Sequence, residues 1–300
     1  MLQNTRYSYW PAPQRLPIRW PNDAWVAFLA IPNIEHFPWD RPRSGGGAGL
    51  FPDVQSYATR DYGNRMGVWR LADALTKHGI RATVALNSDV CTYERPIIEM
   101  GMARGWEWMG HGRTNAERLQ GLSEDAERAL IQEVVETIRN ATGVAPRGWL
   151  SPGRVQSERT PDLLAEAGFT YLADWSADDQ PFPMRVRTGR MICAQGSQVS
   201  DTSAFGNAQW PAHEFRQYLC DQFDQLYKEG RTSGRVMSIN LHPWLVGYPH
   251  RIKALDEALA YITAHDHVWL ATGGEVADWY YANYYDEALR VAPFPAESLP

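Results

Sequence analysis

Cysteine is scarce in this chain. Only Cys91, Cys193 and Cys220 occur, far apart and with no Cys-x-x-Cys among them. An odd, dispersed set excludes a disulfide framework and a thiolate zinc site, and fits a reducing compartment. Basic excess is also missing: 29 Lys and Arg stand against 35 Asp and Glu, a formal net charge of −6, with no basic stripe. Nucleic acid is therefore not an expected partner. No apolar run approaches the ~20 residues of a membrane span. Met1 to Trp20 lacks the charged start, apolar stretch and small-residue cleavage site of a secretory leader. These absences imply a cytoplasmic protein without a membrane partner. Internal repeats and low-complexity linkers are absent as well.

What is present begins with tryptophan, 13 residues of it, many beside Gly, Pro or polar neighbours rather than inside apolar runs. Indoles so placed serve either as core and interface packing or as the walls of a cleft. Residues 1–22, rich in Pro and aromatics, read as an extended arm on the domain or on a partner subunit. After them short apolar runs alternate with helical patterns. "WVAFLAI" (25–31) reads as a buried strand stopped by Pro32. "RPRSGGGAGLFP" reads as a long binding loop or lid. It lacks the Lys-Ser/Thr of a phosphate loop. "GVWRLADALTKHG" is a helix with a Gly stop, followed by the strand "IRATVAL". "RPIIEMGMARG" is a helix with Pro near its start, and "WEWMGHG" a short strand ending in His111. Ser123 begins a helix to about Asn140. "FTYLADW" (169–175) is a strand, and "HEFRQYLCDQFDQLYKEG" a long amphipathic helix. "RVMSINLHP" is a strand ending at His242, and "VWLATGGE" a last strand. Such alternation implies βαβ units, right-handed crossovers and a parallel sheet. Over 300 residues it suits a closed or nearly closed α/β barrel. The expected layout is an arm (1–22), a catalytic barrel (23–285) and a tail (286–300). The aromatic arm and the Trp/Tyr-rich "ADWYYANYY" imply a homo-oligomer.

Active sites of parallel barrels lie at the carboxyl ends of the strands. Polar residues just after the apolar runs are Asn33, Glu35, His36, Asn87, Asp89, His111, Arg147, Trp149, Asp174, Asp178, Asp179, His242 and Glu275. One face would gather them, with carboxylates, imidazoles and a guanidinium sufficient for acid–base chemistry or for one metal ion. Taken singly, each is more often a loop or cap residue than a functional one.

"PNIEHF", "GWEWMGHGRTN", "PRGWLSPG", "DWSADDQPF", "INLHPWLVGYPHRI" and "WLATGGEVADWY" follow one another in that order. The ordered set resembles the polysaccharide deacetylase (NodB-homology, carbohydrate esterase family four) superfamily over about residues 20–285, and within it an allantoinase-like branch. The resemblance implies a distorted (β/α)7 barrel and hydrolysis of an amide C–N bond. It also implies an Asp base, a metal held by a second Asp and a His-x-x-x-His pair, and a final His that protonates the leaving amine. Asn33 stands where the base is expected, and an amide cannot take up a proton near neutrality. Glu35 stands at the ligating Asp, His111 at the first His, Asn115 at the second, and His242 at the proton donor. Arg147 falls close to the Arg-bearing third motif, from which "GWLSPG" departs. The resemblance thus implies either one divalent metal such as zinc on Glu35, His111 and Asn115, or none. The departures match the allantoinase-like branch and point to a small cyclic amide, imide or ureide as substrate. The catalytic set is then Glu35, His111, His242 and Asp178. Glu35 or Asp178/Asp179 activates water, His111 and Arg147 polarise the carbonyl, and His242 is the acid. Asn33, His36, Arg147, Trp149, Asp179 and Glu275 would contact substrate. A metal-dependent deacetylase of an N-acetylated sugar or small molecule, and an inactive ligand-binding relative, are the alternatives.

Overall fold

A computed structural model describes residues 4–41 and 51–295; most of the glycine-rich loop expected over "RPRSGGGAGLFP" lies outside the described residues. The strands are β1 (Val26–Ile34), β2 (Thr83–Leu86), β3 (Glu107–Gly110), β4 (Gly148–Trp149), β5 (Tyr171–Leu172), β6 (Phe182–Met184), β7 (Met191–Cys193), β8 (Ser197–Ser200), β9 (Arg235–Leu241) and β10 (Val268–Leu270). They form one curled sheet in the order β6-β7-β5-β4-β3-β2-β1-β9-β8, with β10 beside the first half of β1. Every pairing is parallel except β6 with β7. The expected distorted α/β barrel of this superfamily is therefore what the chain forms. Its sheet stays open between the edge strands β6 and β8, and its short antiparallel β6 had no counterpart in the sequence reading.

The helices are α1 (Val54–Tyr62), α2 (Val68–Lys77), α3 (Val90–Tyr93), α4 (Arg95–Ala103), α5 (Glu124–Thr142), α6 (Thr160–Glu166), α7 (Ala212–Gly230), α8 (Pro243–Val246), α9 (Pro249–Thr263), α10 (Gly273–Asn283) and α11 (Tyr285–Val291). Local chemistry sets their ends. The Ser123 side chain accepts from Ala126 N–H at the start of α5, and Gly143 closes it in the left-handed conformation. Thr272 and Glu275 form a reciprocal capping box at the start of α10. A single π-helical turn, Gly63–Gly67, joins α1 to α2.

Strand alternation divides the core. Val26, Phe28, Ala30 and Ile34 face the helices, together with Leu71, Ile98, Ile131, Phe215 and Leu255. Ala27, Leu29 and Ile31 face inward with Met109, Leu150, Ile192 and Val236. In step with the inward set, Asn33 and Glu35 also face the barrel interior. Pro32 does not stop β1 as the sequence suggested. The Phe28 and Ile34 carbonyls accept from Ala271 and Asn87 on the side away from β9. β10 pairs there only to Phe28 and β2 only from Asn33. Pro32, in step with Phe28 and Ile34, directs its missing donor into the gap between them.

The amino-terminal end of the barrel is filled. Ile18 and Trp20 of the arm join Tyr280 and Tyr285 in the interior cluster. Trp20 Nε1 donates to Arg235 O at the start of β9 (3.0 Å). Glu107, the first residue of β3, accepts from Tyr171 Oη (2.8 Å) and Gly274 N–H (2.9 Å).

Candidate active site

At the opposite end three strand termini converge. Glu35 follows β1, His111 follows β3 and His242 follows β9. Glu35 and His111 are buried. One carboxylate oxygen, Glu35 Oε1, lies 3.6 Å from His111 Nε2 and 3.8 Å from His242 Nε2. The other, Oε2, accepts from Trp244 Nε1 at 3.0 Å.

Each imidazole is held from behind. His111 Nδ1 lies 2.6 Å from Leu150 O. A carbonyl only accepts, so Nδ1 carries hydrogen, and Nε2 is the ring nitrogen that faces Glu35. His242 Nδ1 lies 2.7 Å from Asp201 Oδ1, and Asp201 Oδ2 accepts from His242 N–H at 2.6 Å. Asp201, after β8, thus fixes both ring and backbone of His242. Burial alone lowers the His242 pKa, but the Asp201 and Glu35 charges and the Asp201 hydrogen bond outweigh it and raise the value above the ordinary 6.5. Burial alone raises Glu35. The His242 charge, the His111 contact and the Trp244 bond overcome this and hold Glu35 below the usual 4.5. Burial raises Asp201 above 3.8 against the opposing pull of His242. The two groups thus favour each other's charged forms, carboxylate on Glu35 and imidazolium on His242.

Below them lies a polar layer. Asn33 Nδ2 donates to Ile31 O (3.0 Å) and lies 3.4 Å from Asn240 Oδ1. With its amide turned to suit its neighbours, Gln195 accepts from Asn240 Nδ2 (3.0 Å) and Arg154 Nη2 (3.3 Å). Asp174 accepts from Ser151 N–H (2.6 Å) and Ser151 Oγ (2.7 Å). A cleft of about 1070 Å³, lined by Arg154, Asp174, Trp175, Gln156 and the arm residues Arg6 and Tyr7, opens beside this layer.

Four of the expected residues lie elsewhere, and a fifth points away. Arg147 precedes β4 and pairs with Asp278 at the amino-terminal end. Glu275 caps α10 and meets Arg81 there at 2.8 Å. Both fail because the strand end was mistaken: Arg147 enters its strand rather than leaving it, and β10 stops at the level of Phe28. Asp178 pairs with Arg15 of the arm. Asp179 O accepts from Val236 N–H near the start of β9, because the chain after Asp174 turns back down the barrel. Trp149, fully buried, faces the helices and packs on Phe169 at 5.5 Å. Alternation turns Leu150 inward instead. His36 stands at the rim, 3.0 Å from Glu94 and stacked on Tyr93.

Asp201 and Trp244 went unrecognised in the sequence. Asp201 follows "GSQVS", too polar to read as a strand. Trp244 lies two residues past His242 in a short helix.

The donor set does not fit a resident catalytic zinc. Among the described residues no three His, Cys, Asp or Glu side chains are grouped to hold a metal ion. Glu35, His111 and Asn115 offer one carboxylate, one imidazole and one amide, whereas a catalytic zinc takes three strong ligands. Asn115 Oδ1 is buried without a hydrogen-bond partner, and so is His111 Nε2. Trp244 already occupies one Glu35 oxygen.

Comparison with known proteins agrees with this geometry. The model of the polysaccharide deacetylase family matches residues 51–172. A probable polysaccharide deacetylase from Pseudomonas aeruginosa superposes with a TM-score of 0.80 at 28% identity, over 91% of this chain and 97% of that one. An allantoinase structure superposes with a TM-score of 0.81 at 26% identity, over 91% and 96%. A putative polysaccharide deacetylase from Schizosaccharomyces pombe is 26% identical over 245 residues, 75% of each chain. Fold, strand-end groups and relatives together define the class: a hydrolase of carbon–nitrogen bonds other than peptide bonds, similar in sequence and fold to the polysaccharide deacetylases. Its likeness to the allantoinase structure is as strong as its likeness to the probable deacetylase.

Proposed function

We propose that the protein opens the ring of a small cyclic amide, imide or ureide by hydrolysis of its C–N bond. The observation that carries this reading is Glu35 Oε1 between two imidazole nitrogens, one of them backed by Asp201. The vacant base position at Asn33 and the incomplete ligand set argue against a metal-dependent deacetylation. The allantoinase likeness at 26% identity supports a ring amide.

In this reading Glu35 takes a proton from water as the water oxygen bonds to the ring carbonyl carbon. His111 Nε2, facing the same Glu35 oxygen, lines the place where water and the ring carbonyl meet and orients them there. His242 Nε2 gives its proton to the leaving nitrogen as the C–N bond breaks, which leaves a free carboxyl and an amine, amide or ureido group according to whether the ring was an amide, imide or ureide. Asp201 stabilises the imidazolium and holds the ring so that Nε2–H points into the site.

The test is a hydrolysis panel of cyclic ureides, cyclic imides and N-acetyl sugars, each with and without chelator. Ring opening that survives chelator is the expected result. Deacetylation of N-acetyl sugars that chelator abolishes would replace this reading with the deacetylase one.

A further inference from the structure

Trp244 connects the catalytic carboxylate to a helix that carries none of the reacting groups. Its indole N–H holds Glu35 Oε2 at 3.0 Å, and its ring edge meets the His242 ring at 5.7 Å between centroids. The face of that indole is covered by Arg60 of α1, whose guanidinium carbon lies 4.5 Å from the Trp244 centroid and 4.8 Å from the Phe37 centroid. Arg60 Nη1 also reaches the carbonyl of Ser56, one turn back (3.3 Å).

The rest of this helical face serves the same two residues. A Cβ on Gly63 would lie 2.7 Å from Trp244 N, and one on Gly67 would lie 2.1 Å from Pro243 O. Only hydrogen fits at either place, so backbone packs on backbone. Asn64 Nδ2 donates to the Glu35 carbonyl at 2.9 Å. Residues 60, 63, 64 and 67 share one helical side. The π-turn lies within this run, and such turns gather at functional sites.

We propose that Arg60 is a positioning residue for Glu35. Its guanidinium clamps the Trp244 indole so that the indole N–H keeps Glu35 Oε2 occupied and leaves Oε1 to the imidazoles and water. A planar cation over an indole face is attractive in itself and also strengthens the ring N–H as a donor. This assignment rests on Glu35 being the working carboxylate of the proposed hydrolysis.

The test combines kinetics with a signal that needs no substrate. In the wild-type protein with 15N-labelled tryptophan, the indole resonance absent from Trp244→Phe belongs to Trp244. Arg60→Met should move that resonance, while Glu35→Gln identifies the shift due to loss of the carboxylate acceptor. On the ring substrate that the wild type turns over best, Arg60→Met should lower kcat about tenfold with KM within about twofold, the size of one partly desolvated cation–π contact. Arg60→Lys should recover most of kcat. In the Trp244→Phe background Arg60→Met should cost nothing further. An unmoved indole resonance in Arg60→Met would overturn the proposal, as would an equal fall in kcat in both backgrounds. If the wild type opens none of the rings, the functional reading fails, and the resonance alone decides whether Arg60 positions Trp244.

Discussion

Two carboxylates face His242 and favour its protonated form, and that decides how activity should respond to pH. In the proposed reaction it is the acid and must be protonated, so its raised pKa extends activity past the ordinary imidazole value, and activity should fall as pH rises through the folded value. Asp201→Asn removes the charge on Nδ1. The alkaline limb of kcat/KM should then move to lower pH, and kcat should fall by about a hundredfold or more, the size of a general-acid contribution. A limb that stays in place would show that another group donates. Stability has the same sign: the contribution of protonated His242 is complete below the unfolded pKa and is lost as pH rises through the folded one. His242→Ala should abolish most turnover while circular dichroism stays unchanged, and near-normal activity in that variant would remove His242 from the mechanism. Glu35, His111 and His242 were legible because each directly follows an apolar run. Asp201 was not, since β8 (Ser197–Ser200) is polar, and polar strands carry no period that hydrophobicity can reveal.

Elements were legible where they are amphipathic. The patterns for α2, α4, α5 and α7 lie close to the observed helices, and β1, β3 and β9 fall within or beside their expected runs. What escaped was direction and facing. Trp149 and Leu150 are neighbours in sequence, yet Gly110 pairs with Trp149 in the ladder, and the barrel interior receives Leu150. An aromatic in a two-residue strand gives no sign of its side. Position within an element also sets the cost of change. Gly67 lies against the Pro243–Gly247 turn, with a Cβ position only 2.1 Å from Pro243 O. Gly67→Ala forces the backbone apart, and overpacking of this kind costs roughly 1–3 kcal/mol. Chemical denaturation should show that loss together with weakened turnover, because the displaced turn carries Trp244. A variant with wild-type stability would mean that the helix slides without penalty.

For the whole molecule, the arm acts as a stopper. Trp20 lies in the interior cluster at 2% exposure and donates to the first residue of β9. Trp20→Ala should cost roughly 3–5 kcal/mol by loss of buried area and the cavity left behind, read from the urea midpoint. A change below ~0.5 kcal/mol, the size of an ordinary surface substitution, would mean that the arm only rests on the barrel. No helix among the described residues is long and apolar enough to cross a membrane. The barrel was legible from alternation alone. Its seam was not, because the chain between β7 and β8 bridges the open sheet with Gly196, whose added Cβ would lie 2.3 Å from Val236 Cβ.

The stoppered floor has a kinetic corollary. A barrel filled at one end is a dead-end street, and whatever leaves must go back past the place where the next molecule arrives. Spent product and fresh substrate therefore queue for the same doorway. Added product should raise the apparent KM and leave the maximal rate unchanged.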